Sequence, residues 1–175
     1  MTYYKVLNDD GSCCHSGKGQ WLLPMADGPG EPMPLIEGDL IPYKRGYHIL
    51  RAEHLIEWLG PALFEVEALA PIFGWKNKCG TAQARLLRRV ETWNDRTARL
   101  FAADCMERVL PIWERDHPND ARPRAAVDSE RQFARGEISA AERGAAWTAA
   151  WDAGWAAERQ WQTERLMQYL KGEVS

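Results

Sequence analysis

Several features are scarce or missing in this sequence of 175 residues. It has no run of about 18 apolar residues, so it offers no candidate membrane span. Its first residues, MTYYKVLNDDGS, lack the basic start and apolar stretch of a secretory signal peptide. The cysteines are too few and too scattered for a disulfide framework; they are Cys13, Cys14, Cys79 and Cys105. We therefore expect a reduced, cytoplasmic protein that does not contact a membrane.

The usual catalytic and cofactor motifs are also missing. The only lysine flanked by glycines, in GSCCHSGKGQ, lacks the strand–loop–helix context and the following Ser or Thr of a phosphate loop. The soft metal ligands Cys13, Cys14 and His15, with His48 and Cys79 elsewhere, lack the paired spacing of a structural zinc site. We therefore expect no cofactor and no metal, and a binding protein is favoured over an enzyme.

Charge is nearly balanced, with a formal net charge of −3 at pH 7. This balance does not fit a dedicated nucleic-acid binder, which usually has a pI above about 9. Residues 85–136 differ from the rest, because all 11 of their basic residues are arginine, against nine acidic residues. Arginine is preferred where bidentate contact to phosphate or carboxylate matters. The candidate partner-binding residues here are Arg85, Arg88, Arg89, Arg96 and Arg99. An ion-paired surface, a nucleic-acid contact and an acidic protein partner stay open as alternatives.

Residues 1–91 show the patterns of a small mixed α/β sheet module. Strands are predicted at 2–7, 46–50 and 63–69, and 84–90 is predicted as a strand or a helix. In 63–69 the period of two indicates a half-exposed strand, with Leu63 on the same side as the glutamates. A short helix is predicted at 52–60, an exposed Gly/Pro-rich loop at 24–34, and a loop around 74–80.

Residues 92–175 predict a bundle of about three helices, which makes the fold class α+β. The first helix covers about 94–116, and Pro111 predicts a kink or a short break in it. The second, about 123–135, ends at Gly136. Ser139 and Glu142 form a capping box that opens a third helix, which we expect to run to about Leu170.

The third helix contains four of the nine tryptophans, and at about 100° per residue they share one broad face. They are Trp147, Trp151, Trp155 and Trp161. A packed core, a partner interface and an aromatic ligand platform compete as explanations. Our interpretation is a core face whose more polar end, at Trp161, is left partly exposed and available to a partner.

One segment, GYHILRAEHLIEWLG, is similar to the strand and short helix that hold nicotinamide in ADP-ribosyltransferases. The resemblance implies a ligand pocket at Tyr47 and His48. The His-Tyr-Glu or Arg-Ser-Glu set that completes such sites has no convincing counterpart in this sequence.

The chain as a whole resembles an uncharacterised family of bacterial phages and prophages. In the N-terminal part the resemblance is to a phage-associated domain with a G-[YF]-H strand, carried by GYHILRAEHLIEWLGPALFEVEA. In the C-terminal part it is to the helical domain of immunity proteins, carried by DCMERVL (104–110) and RPR (122–124). The resemblance implies an origin in a mobile element, a bacterial host cytoplasm and a binding role.

Together these observations favour a non-enzymatic protein that binds and blocks a macromolecular partner. The expected partner is a host or defence-system protein, and immunity or anti-defence proteins, anti-CRISPR proteins included, act in this way. The alternatives are an NAD-dependent enzyme of the ADP-ribosyltransferase type and a phage accessory protein that contacts nucleic acid through its arginines. The sequence does not define the oligomeric state.

Overall fold

The computed structural model describes residues 1–15 and 17–149. The chain forms two compact units, Met1–Asn94 and a second unit that begins at Asp95. The described part of the first unit is built from antiparallel strands, and that of the second from helices. The chain therefore has the α+β class that its sequence predicts.

The first unit contains two antiparallel sheets of three strands each. The strands are Tyr3–Leu7 (β1), Tyr47–Ile49 (β2), Ala62–Ala68 (β3), Ile72–Gly74 (β4), Cys79–Thr81 (β5) and Ala84–Arg89 (β6). One sheet has the order β1-β3-β6, and the other has the order β2-β5-β4. A short 3-10 helix, Ala52–Glu57, follows β2, where the sequence predicts a helical turn or two.

The stretch around 74–80 was predicted as a loop, and this was wrong in part, because its two ends are strands β4 and β5. These strands are three residues long and contain Gly74 and Gly80, so they carry little of the alternation that predicts a strand. Gly80 is needed for a close approach, since a Cβ there would clash with the Trp75 ring. A glycine within a strand often marks such a contact.

Strand β3 is buried more completely than the period of two predicts. Phe64 and Val66 lie in the main core, as expected, and the side chains of Glu65 and Glu67 are partly exposed. Leu63 was expected on the half-exposed side with the glutamates, but it is buried. It packs into a second apolar cluster that covers the other face of this end of the sheet.

Residues 24–34 are irregular, as their glycines and prolines predict, but they are not simply an exposed loop. Gly30 and Met33 donate backbone hydrogen bonds to the carbonyls of Leu86 and Ala84, at 2.8 and 2.9 Å. The segment therefore lies along β6, and Met33 is buried in the main core. Segment 84–90 itself pairs with β3, which resolves the predicted choice between strand and helix in favour of a strand.

Two α-helices, Asp95–Asp116 (α1) and Arg122–Ala134 (α2), and the helical residues 140–149 (α3) make up the described part of the second unit. Ala103, Leu110 and Val127 form the buried contact between α1 and α2. The described helices include none that is long and apolar enough to cross a membrane.

Of the two outcomes predicted at Pro111, the break is wrong, because α1 continues through that residue, and the kink stays a prediction. Contacts with α2 hold the helix on both sides of the proline. Leu110 packs against Val127, and Glu114 accepts two hydrogen bonds from Arg124 at 2.6 and 2.8 Å. These tertiary contacts offset the loss of one backbone hydrogen bond.

The predicted ends of α2 and the predicted start of α3 are confirmed. Pro123 lies in the first turn of α2, and Gly136, just past its end, adopts a positive φ of 76°. Before α3, the Ser139 amide donates to the Glu142 carboxylate at 2.8 Å, and the Glu142 amide donates to the Ser139 hydroxyl at 3.3 Å. This is the reciprocal geometry of a capping box.

Candidate functional site

The three candidate arginines on β6 are ion-paired with carboxylates of the first unit. The pairing of β3 with β6 sets Glu67 against Arg85 and Glu65 against Arg88. Arg88 makes a bidentate pair with Glu65, at 2.8 and 2.7 Å, and these bonds lower the pKa of the Glu65 carboxyl. Arg85 lies 2.6 Å from Glu67. Carboxylates therefore compensate much of the positive charge of this strand.

Arg89 follows the same pattern, with its Nη2 2.5 Å from a carboxylate oxygen of Asp9. The remaining two candidates belong to α1 in the second unit. Arg96 is exposed, whereas Arg99 contacts Asp95 at 2.9 Å and Glu130 at 3.1 Å. The five arginines are thus divided between the two units, and their partner-binding role stays a prediction.

A buried carboxylate joins α1, α2 and α3 of the second unit. Glu130, on α2, is 5% exposed and accepts from Arg99 of α1 at 3.1 Å. From the α3 side it accepts from Arg143 at 3.3 Å and from the indole nitrogen of Trp147 at 2.9 Å. The Phe133 ring lies about 5 Å from both guanidinium groups, at 5.1 and 5.0 Å. We call Glu130, Arg99, Arg143 and Trp147 the Glu130 cluster.

The Glu130 cluster explains the first tryptophan of the predicted face. Trp147 is half-buried, and its indole N–H has a charged acceptor, so it anchors α3 to α2. Trp151, Trp155 and Trp161 lie outside the described residues, and so does the predicted helix end near Leu170. The core and interface interpretations of those three tryptophans stay predictions.

The motif DCMERVL (104–110) divides its residues between the two sides of α1. Leu110 is buried against α2, and Asp104 and Glu107 bind Arg131 of α2 at 2.7 and 2.5 Å. The opposite side of the helix carries Cys105, which is exposed, and Val109, which is 57% exposed.

Ile112 continues this outward side and is 60% exposed. At 100° per residue, Cys105, Val109 and Ile112 fall within roughly 60° of one another on the helix surface. We call these three residues the α1 apolar strip. Single exposed apolar side chains are ordinary, whereas a row of them along one helix is typical of a contact surface.

Tyr47 and His48, the predicted ligand-pocket residues, both line a cavity of about 320 Å³ in the first unit. The Tyr47 ring makes an edge contact with Trp21, with ring centroids 5.4 Å apart. His48 Nε2 is buried and has no hydrogen-bond partner among the described residues. Burial and the nearby Lys78 and Lys5 lower the pKa of His48 to about 4, so the imidazole is neutral at pH 7.

Two lysines of this cavity were missed by the sequence reasoning. Lys5 comes from β1, and its ammonium donates to the His48 carbonyl at 3.1 Å and lies 5.1 Å from the Trp21 ring centroid. Lys78, just before β5, is 7% exposed, and its ammonium lies 3.9 Å from the Tyr43 ring centroid. The one available signal was a lysine inside the otherwise β-rich run TYYKVL.

The cysteines remain free thiols in the described structure: Cys79 is buried, Cys105 is exposed, and Cys13 and Cys14 are half-buried. In the described part of the chain, no three His, Cys, Asp or Glu side chains are grouped as metal ligands would be. Burial raises the pKa of the Cys14 thiol, which keeps it protonated at neutral pH.

Comparison with known protein families gives a match in the C-terminal part. Residues 88–153 match a family model described as "Imm-5 like putative immunity protein". The matched region starts in β6 and includes α1, α2 and the helical residues 140–149, so it is less than half of the chain. No curated protein matches the sequence, and no solved structure matches it.

The match agrees with the immunity-protein resemblance of the C-terminal part, and it suggests an immunity-type function with a protein partner. The matched region includes the Glu130 cluster and the α1 apolar strip. The cavity lies outside it, and the resemblance of the N-terminal part to a phage domain stays a prediction.

Proposed function

We propose that this chain is an immunity-type protein that binds one protein partner stoichiometrically and blocks it. The observation that carries the proposal is the family match over residues 88–153. The proposal includes an origin in a phage or other mobile element and an immunity or anti-defence role, of which anti-CRISPR activity is one form.

The α1 apolar strip is the surface that we propose contacts the partner. Val109 and Ile112 are more than half exposed, and they lie within the matched region. Truncating or charging apolar side chains at the centre of an interface costs far more affinity than the same change at its rim. Trp161, at the polar end of the predicted tryptophan face, is the second contact that we propose.

The ion pairs of the arginines favour a protein partner over nucleic acid. A nucleic-acid binder needs guanidinium groups available to phosphates, and affinity then falls steeply with salt. Arg85, Arg88 and Arg89 each have a carboxylate within 2.5 to 2.8 Å. Binding to nucleic acid would first have to break these pairs.

The experiment is affinity capture of partners by the full chain from bacterial lysate, followed by mass spectrometry. The proposal predicts one protein recovered in a fixed molar ratio with this chain, insensitive to nuclease. Recovery that disappears after nuclease treatment would point to the nucleic-acid alternative, and consumption of NAD by the purified chain would point to the ADP-ribosyltransferase alternative. Either result would contradict the proposed function.

A pair of variants that each introduce a charge then locates the surface. Ile112→Asp should abolish capture, because it places a charge in the α1 apolar strip. Ile56→Asp is the matched control, since Ile56 is 63% exposed and lies in the first unit, outside the family match. Loss of capture by both variants, or by the control alone, would show that the strip is not the contact.

A further inference from the structure

The cavity of the first unit holds positive charge without a matching negative charge. Its lining includes four lysines and two histidines, and the described lining residues include no Asp or Glu. Lys5 reaches into it from β1, and Lys78 from the position just before β5. None of the ion pairs between described residues involves either lysine.

Aromatic rings, rather than carboxylates, hold the two ammonium groups. Lys78 Nζ lies 3.9 Å from the Tyr43 ring centroid and 4.5 Å from that of Trp58, and Lys5 Nζ lies 5.1 Å from that of Trp21. A ring face attracts a cation but carries no net charge to cancel it. The lysines are therefore oriented by the protein while their charge stays available to a ligand.

Neighbouring groups do not cancel this charge either. The Cys14 thiol stays protonated because burial raises its pKa. The pKa values of Lys5 and Lys78 are lowered, chiefly because burial disfavours their charged forms. Buried charges in proteins are normally paired, so this arrangement indicates a missing anionic partner.

His48 adds a third polar group that has no partner of its own. Its Nε2 is buried and makes no hydrogen bond within the described structure, although most buried polar atoms have a partner. The low pKa of His48, about 4, makes the ring neutral at pH 7, and a neutral ring can carry one N–H donor. Edge contact with Trp75, with ring centroids 5.4 Å apart, fixes the position of the imidazole.

We propose that this cavity binds a small phosphomonoester, with the phosphoryl group contacting Lys5, Lys78 and His48. Two uncompensated ammonium groups match the charge of about −2 that a phosphomonoester carries at neutral pH. The cavity of about 320 Å³ lies at the lower end of the size range of small-molecule sites, and it leaves room for an organic group beyond the phosphate. The site lies in the first unit, and its proposal does not depend on the proposed partner surface.

The test is a calorimetric titration of the full chain with four probes: inorganic phosphate, adenosine 5′-monophosphate, uridine 5′-monophosphate and adenosine. The proposal predicts that the three phosphate-bearing probes bind and raise the melting temperature, whereas uncharged adenosine does neither. Failure of all three phosphates to bind at millimolar concentration would overturn it. Equal binding of adenosine and its monophosphate would do so as well.

Two lysine variants form a matched pair. Lys78→Gln should weaken phosphate binding by about tenfold or more, because it removes a charge-assisted contact. Lys76→Gln removes the same charge two residues away, on an exposed side chain that does not line the cavity, and should leave binding unchanged. Equal losses of phosphate affinity in both variants would mean that the effect is general surface electrostatics, and this would contradict the proposal.

A change of His48 tests the same site in case Lys78→Gln does not fold. His48→Phe keeps a ring in place but removes the nitrogen that lacks a partner. It should weaken binding of phosphate and of both monophosphates while the far-UV circular dichroism of the chain stays the same. Unchanged affinity in a folded His48→Phe variant would contradict the placement of the phosphoryl group.

Discussion

Glu130→Gln tests the Glu130 cluster most sharply, because the change keeps the size of the side chain and removes its charge. The carboxylate accepts hydrogen bonds from Arg99, Arg143 and Trp147, at 3.1, 3.3 and 2.9 Å. Glutamine keeps one acceptor oxygen and replaces the other by an N–H₂ group, which cannot accept. The variant therefore removes the carboxylate that Arg143 of α3 contacts, and it leaves Arg99 of α1 with the exposed Asp95 alone.

The expected loss of stability follows from the burial of each partner. Removing one member of a fully buried ion pair costs roughly 3–5 kcal/mol. Here the carboxylate is 6% exposed, but the side chains of Arg99 and Arg143 are 28% and 30% exposed and stay in contact with water. Solvent screening reduces the cost, so we expect a loss of about 2–3 kcal/mol in the free energy of unfolding.

The assay is urea unfolding followed by circular dichroism at 222 nm, which reports chiefly on the helices. Glu114→Gln is the matched control, because Glu114 pairs with Arg124 at 2.6 Å but is 33% exposed and contacts one partner helix. We expect the control to lose about 0–1 kcal/mol. A Glu130→Gln variant as stable as the control would refute the view that this cluster holds the three helices together.

Two further predictions concern the helical unit. Ser139→Ala removes the hydroxyl that caps α3 and should lower the unfolding free energy by about 1 kcal/mol, measured in the same urea assay; an unchanged midpoint would contradict the capping role. Hydrogen bonds from Arg131 and Arg124 lower the pKa values of the Glu107 and Glu114 carboxyls. The stability that these two ion pairs contribute is therefore complete above the ordinary carboxyl pKa. It is lost as the pH falls through the lowered pKa values. The melting temperature should therefore fall as the pH is reduced from about 5 to about 3, and a melting temperature that is independent of pH over this range would contradict the assignment.

The elements that the sequence predicted correctly are those whose signal is local. The capping box at Ser139, the end of α2 at Gly136 and the presence of strand β3 each depend on residues a few positions apart. The misses depend on tertiary contacts. Strand β5 forms around a glycine that accommodates the Trp75 ring, and α1 continues through Pro111 because α2 holds it on both sides.

The candidate site shows the same division between local sequence signals and tertiary contacts. Tyr47 and His48 were singled out from a local resemblance, and they do line a cavity. Lys5 and Lys78 are 73 positions apart in sequence, and only the tertiary structure brings both to this cavity. The ion pairs of Arg85 and Arg88 likewise follow from the register of β3 and β6, which the sequence does not specify.

The measurement that most directly tests the central claim is the affinity of the captured protein partner for this chain and for its Ile112→Asp and Ile56→Asp variants. Titration calorimetry with purified components gives both the stoichiometry and the dissociation constant. The account predicts one partner per chain, at least a tenfold loss of affinity for Ile112→Asp, and no loss for Ile56→Asp, with all three proteins equally folded. Wild-type affinity in the Ile112→Asp variant, or the absence of a saturable complex with any protein, would contradict it.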